Sequence, residues 1–204
     1  MVSAFRPQLV GALASAQRAF GLHPRSRPLE NLSERSRRAL SGLNASPKSL
    51  RFQIALRQLG HDWDLFTEEA TSDAAALRLQ LRVLDLAERS PEAERLIRPN
   101  LSEAPISRLL ATTLVNATAQ GASAVEFRFG SPQEETSLIY QIRGQEREAG
   151  QLPRDLEESL RGLLRFVEAA GFGRIKPYLG PSPKLPNDLA FAWPERDRLT
   201  ITLG

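Results

Sequence analysis

The 204-residue sequence predicts an α+β fold, in which an N-terminal helical region is followed by a mainly antiparallel sheet covered by two helices. Three observations lead there. Apolar residues recur at three- and four-residue steps in the first hundred residues, and again over 106–119 and 156–167, the period of a helix with one buried stripe. Between and after those last two stretches the period changes to two, as in a strand with one buried face. Gly and Pro stand where the period changes, and chain reversals need them there. An antiparallel sheet with two helices on one face satisfies this pattern, because every helix and strand then has one face to bury.

In the first half, Phe5, Leu9, Leu13, Ala16 and Phe20 predict a helix over 7–20, stopped by Gly21. Ser46-Pro47 reads as a cap followed by Pro at the first helical position; Leu50, Ile54 and Leu59 give that helix an inner face and Gly60 closes it. A longer helix is expected from Asp73, as cap, to Arg89, with Leu77, Leu81, Val83 and Leu84 inward. Ser90-Pro91 starts a short turn through Ile97 that Pro99 ends, and a boundary at this point separates a helical region, 1–100, from an α+β domain, 101–204.

In the second half, Ile106, Leu109, Leu110, Thr113, Leu114 and Ala117 predict a helix ended by Gly121 in a left-handed conformation. Strands follow at Ala124–Phe129, Ser137–Arg143 and Gln145–Glu148, with a turn at Gly144. If this alternation holds, changes at Phe127 or Tyr140 should destabilise the domain and changes at Arg128 should be mild. Pro153 opens a helix whose inner stripe is Leu156, Leu160, Leu163, Leu164 and Val167. Arg174–Leu179, Asp188–Trp193 and Arg198–Leu203 read as strands, the last two as a hairpin, and Gly171–Arg174 as a tight turn.

Composition narrows the chemistry. With no cysteine, disulfides, thiolate zinc sites, iron–sulfur clusters and cysteine nucleophiles are excluded. No stretch approaches the ~18 consecutive apolar residues of a membrane span, and Arg6, Pro7, Gln8 and Arg18 break up the start where a signal peptide needs an unbroken apolar core. The expected location is cytoplasmic. The net charge of +3 hides an asymmetry: ten Lys/Arg against two Glu over 1–60, five against nine over 61–100, and twelve against thirteen over 101–204. The densest basic cluster is Arg25, Arg27, Arg35, Arg37 and Arg38. It is either a solvated face that partly pairs with the acidic stretch 61–73 or a patch that attracts phosphates or an acidic partner.

Catalytic constellations are hard to assemble. The two histidines, His23 and His61, lie in no H-E-x-x-H and near no G-x-S-x-G. The HDWDLF stretch places carboxylates beside His61, but neighbours in sequence do not converge on one point, and the stretch reads as a polar loop anchored by Trp63 and Phe66. Glu134-Glu135 falls in a turn and Glu157-Glu158 on an exposed helix face, both solvated rather than poised for acid–base work. Trp193 and Tyr178 read as core or edge residues.

LLATTLVNATAQGASAVEFRF and SLIYQIRGQEREAGQLPRDLEESLRGLLRFVEAAG together cover about a third of the chain. This segment resembles the α/β domain that precedes the motor domain in the hexameric traffic ATPases of type II secretion and type IV pilus assembly. Gly121-Ala122-Ser123, Tyr140, Ile142, Gly144, Leu152 and Pro153 carry the likeness. The family's Asp and His after Gly-Ala-Ser are replaced by Ala124 and Glu126, its two strand arginines by Ile139 and Gln141, and its turn Asp by Arg143. In the family those arginines help to clasp nucleotide or a neighbouring subunit. No G-x-x-x-x-G-K-[ST] occurs, so the phosphate cradle of such an engine is missing. The resemblance therefore implies a docking domain without its motor: a non-catalytic assembly or adaptor protein with a protein partner and no cofactor, in a pilus or secretion system. The rival expectation is a protein that binds nucleic acid or an anionic surface through its basic N-terminal region.

Overall fold

The computed structural model describes residues 33–46, 48–64, 74–130, 134–180 and 184–204. The helix expected over 7–20, the Asp73 cap, and Pro47 and Phe66 lie outside the described residues. The chain divides into two compact units, Met1–Leu101 and Ser102–Gly204. The structure is α+β, with helices first and a five-stranded antiparallel sheet after them.

In the first unit, α1 (Glu34–Gly42) starts at Ser33, whose Oγ accepts from the Ser36 N–H at 3.1 Å. Helix α2 (Leu50–His61) is capped by Ser49, whose Oγ accepts from the Phe52 N–H at 3.2 Å. The cap thus lies three residues beyond the expected Ser46, and the inward face differs as well. Phe52, Ala55, Leu56 and Leu59 are buried, whereas Leu50 and Ile54, expected inside, are exposed. Close approach explains two glycines. A Cβ on Gly42 would lie 2.4 Å from the Ala55 Cβ, and one on Gly60 2.6 Å from the Asn100 Cβ. In α3 (Ala74–Arg89) Gln80, Val83, Leu84 and Ala87 are buried while Leu77 and Leu81 are half-buried.

Helix α4 (Pro91–Glu103) does not end at Pro99 as expected but runs through it. Ser90 Oγ accepts from the Ala93 N–H at 3.3 Å, and Ala93, Ile97 and Leu101 make one buried stripe at four-residue steps. Interior Pro forfeits a backbone donor and costs about 3 kcal/mol; burying Leu101 on the same stripe opposes that, and Asn100 Nδ2 donates to the Leu96 carbonyl at 2.7 Å.

In the second unit, α5 (Pro105–Ala119) buries Ile106, Leu110, Thr113, Leu114 and Ala117, and Gly121 follows with φ +69°. The strands are β1 (Ala122–Arg128), β2 (Thr136–Ile142), β3 (Gln145–Leu152), β4 (Leu189–Glu195) and β5 (Arg198–Leu203), in the order β3-β2-β1-β5-β4. Ile142 pairs with Gln145 across Arg143 (φ 53°) and Gly144 (φ 77°), a two-residue turn with both central residues left-handed. After a 3₁₀ turn at Arg154–Leu156, α6 (Glu157–Ala170) buries Leu160, Leu163, Leu164, Phe166 and Val167.

The expected strand Arg174–Leu179 is instead a short helix, α7 (Phe172–Ile175), continued by a 3₁₀ turn at Lys176–Tyr178. Phe172, Ile175 and Tyr178 are buried three apart, a helical period, and Pro177 has no N–H to give a ladder. Gly171 (φ 85°) caps α6 rather than forming a tight turn with Gly173. Pro194 is accommodated because β4 is an edge strand whose register shifts between Ala192 and Glu195.

Alternation sorts the sheet. Val125, Phe127, Leu138, Tyr140, Ile142, Leu199 and Ile201 share the face that meets the helices, and all are buried. The Tyr140 hydroxyl donates to the Thr113 carbonyl of α5 at 3.2 Å, and burial pushes its pKa up, so it stays a donor.

Candidate functional site

The basic cluster divides. Arg25 and Arg27 lie outside the described residues. Arg35 Nε sits 2.5 Å from Asp62 Oδ2, an ion pair between the basic segment and the acidic stretch. Arg38 pairs with Glu34 one turn back at 3.1 Å, and Arg37 is half-buried, its Nε away from solvent. Exposed pairs of this kind contribute about 0–1 kcal/mol, yet they neutralise charge that a phosphate would otherwise meet. Trp63 is buried as an anchor. Among the described residues no three His, Asp or Glu side chains converge as metal ligands.

A denser polar constellation lies on the sheet face opposite α5 and α6. Ala124, Glu126 and Arg128 occupy it on β1, beside Ser137, Ile139 and Gln141 of β2, and Arg198, Thr200 and Thr202 of β5. Glu126 is only 3% exposed. Its carboxylate accepts from Arg128 and from Arg198, the latter through Nε at 2.8 Å and Nη2 at 3.4 Å. Arg128 Nη2 also donates to Glu146 on β3 at 2.8 Å, and Gln141 Nε2 donates to the same Glu146 oxygen at 3.3 Å. Register explains the assembly: Arg128 faces Arg198, and Gln141 faces Glu146. Arg128, where changes are expected to be mild, links two carboxylates on different strands.

The hydrogen bond from Arg128, then that from Gln141 and the nearby positive charges, hold the Glu146 carboxyl below its ordinary range, and Glu126 and Glu146 raise the pKa of Arg128. Two carboxylates and two guanidiniums balance, which suits a fixed electrostatic clamp across four strands. The Glu146 shift also sets a pH dependence. A carboxyl depressed in the folded state adds stability that is complete above the unfolded value of about 4.3 and fades as pH falls through the lower folded value. Thermal melting between pH 5 and pH 3 should therefore show a falling midpoint, and Glu146→Gln should flatten that decline; an unchanged slope would refute the coupling.

Beside this network, Arg128, Phe129, Gly130, Glu134, Glu135, Ser137 and Gln151 line an open cleft of about 390 Å³. A Cβ on Gly130 would lie 2.5 Å from the Glu134 carbonyl oxygen, so the returning chain demands glycine there. Glu134 and Glu135 are exposed, as expected. Glu157 is not. Its side chain is 16% exposed, accepts from Arg161 Nε at 2.9 Å and from Thr136 Oγ1 at 3.2 Å, and ties α6 to β2.

The sequence reading missed an aromatic and arginine stack. Trp193 stacks on Phe129 at 6.0 Å between centroids, and Phe129 on Phe127 at 6.2 Å. The Arg161 guanidinium lies 3.9 Å from the Phe129 ring centroid and donates to the Arg196 carbonyl at 3.0 Å. Trp193 Nε1 donates to Glu168 at 3.0 Å. Trp193 is therefore the half-buried anchor of an edge strand on α6. Its partners are far off in the chain, so no local signal marked them.

Comparison with known proteins adds no relative: no protein-family model, no curated protein and no solved structure matches the chain.

Proposed function

We propose that this protein is a non-catalytic assembly or adaptor module, acting through protein–protein contacts in a type IV pilus or type II secretion system. The observation that carries this is where the residues of the likeness stand. Gly121 ends α5 in a left-handed conformation, Arg143-Gly144 makes the β2–β3 turn, and Leu152-Pro153 leads from β3 to α6. The corresponding residues of the traffic-ATPase docking domain sit at a helix end, a strand-pair turn and a helix start.

The departures support a docking role over a nucleotide-handling one. Ile139, at one family arginine position, is buried at 6% exposure, and Gln141, at the other, is bound to Glu146. Glu126, at the family's His, is clamped by Arg128 and Arg198. A face committed to internal ion pairs has no free cation at those two strand positions to clasp a phosphate.

Binding of the purified chain to purified secretion or pilus ATPases and their membrane platform proteins from the same organism, measured by surface plasmon resonance, tests this. Saturable binding to one component, with no ATP turnover by the chain itself, is expected. Turnover of nucleotide by the chain, or no binding to any component of either machinery, would refute it.

A further inference from the structure

Helix α2 carries two side chains that its packing does not account for. Leu50 and Ile54 are 72% and 56% exposed, the large exposed apolar residues among those described. The inner face of α2 is already supplied by Phe52, Ala55, Leu56 and Leu59. Four residues apart, Leu50 and Ile54 lie one above the other on the helix surface. Arg57 and His61 continue the row at steps of three and four, Arg51 flanks it and Lys48 precedes it, all exposed.

The charged side chains that α2 itself contributes are of one sign. No Asp or Glu occurs in α2. Lys48, Arg51 and Arg57 form no ion pair among the described residues. An aliphatic ridge bordered by uncompensated cations complements an environment that is anionic at its surface and apolar just beneath. Nucleic acid offers the first and not the second, and α2 shows no exposed aromatic on which a base could stack. A bilayer containing anionic lipid offers both: aliphatic side chains reach below the headgroups while long Lys and Arg stems keep their charges at phosphate level.

We propose that this face of α2 binds anionic lipid bilayers peripherally, with Leu50 and Ile54 inserted below the headgroups and Lys48, Arg51 and Arg57 held at the phosphates. No described helix is long and apolar enough to cross a membrane, so the contact is interfacial. It concerns the first unit and is independent of the role proposed for the second.

Co-sedimentation of the full chain with phosphatidylcholine vesicles, with and without phosphatidylglycerol, tests it. Binding should require phosphatidylglycerol and weaken with salt. Arg51→Gln/Arg57→Gln should lower it about fivefold per charge removed. Leu50→Ser/Ile54→Ser, at unchanged charge, should lower it at least tenfold, since roughly two aliphatic side chains lose their apolar medium. Both double variants alter exposed positions and should melt like the parent; should the apolar one not, the single Ile54→Gln provides the same comparison. Equal binding to both vesicles, or undiminished binding by either variant, overturns the proposal. Capture by polyglutamate or duplex DNA without capture by vesicles overturns it too, by assigning the face to a protein or nucleic-acid partner.

Discussion

Replacing Phe127 with alanine is expected to destabilise the second unit by about 3–5 kcal/mol, the range for deleting a fully buried aromatic. The residue is 1% exposed and sits on the central strand, paired with Leu138 on one side and Leu199 on the other, with Phe129 stacked 6.2 Å away. Neither neighbouring strand can move inward to fill the void without breaking its ladder. At roughly 4–8 °C per kcal/mol for a unit of this size, the thermal midpoint should fall steeply. Glu148→Ala, on the exposed part of edge strand β3, should stay within about 0.5 kcal/mol of the parent. A Phe127→Ala loss below about 1 kcal/mol in denaturant melts would mean that the strand does not present that face to the core.

The second large effect runs against helix propensity. Alanine in place of glycine within a helix normally stabilises by up to about 1 kcal/mol, but at Gly42, the last residue of α1, Gly42→Ala should destabilise by about 1–3 kcal/mol through overpacking. The new methyl would stand 2.4 Å from the Ala55 Cβ and 3.3 Å from the Arg51 carbonyl oxygen. These are backbone-bound atoms, so α1 and α2 must separate to admit it. The double change Gly42→Ala/Ala55→Gly moves the methyl from one helix to the other and should recover much of the loss, giving a large coupling in a double-mutant cycle. A Gly42→Ala variant more stable than the parent would show that the two helices do not cross at this point.

Legibility varied with how local each signal was. The β1–β2–β3 meander was readable because alternation and the Gly144 turn act over two to four residues. The β4–β5 hairpin was readable for the same reason. Helices α5 and α6 were readable because a long apolar stripe has few alternative solutions. Arg174–Leu179 was misread because a six-residue stretch with Ile175, Tyr178 and Leu179 as its apolar positions carries too little periodicity to separate a strand from a turn of helix, and Pro177 was the clue that decided it. Pro99 misleads in the opposite sense, since a helix breaker carries no local sign that Leu101 is buried beyond it. The start and the face of α2 both differ from the reading: Ser46-Pro47 is a good cap on paper, but Ser49 holds the position, and packing buries Phe52, Ala55, Leu56 and Leu59 where Leu50 and Ile54 would have made an equally regular stripe.

The candidate sites were less legible still. The Arg35 to Arg38 run is contiguous in sequence, but its charge is divided by Asp62 and Glu34. The Glu126 clamp joins four strands and was invisible, because Arg198 lies 72 residues from Glu126. By themselves, the amino acids determined the α+β class, the order of most elements and the exclusion of thiol chemistry, since period, turn chemistry and composition are properties of neighbours along the chain. Only the tertiary structure decided which charges neutralise one another and which apolar side chains remain outside, because burial and pairing depend on distances between residues that the chain order does not encode.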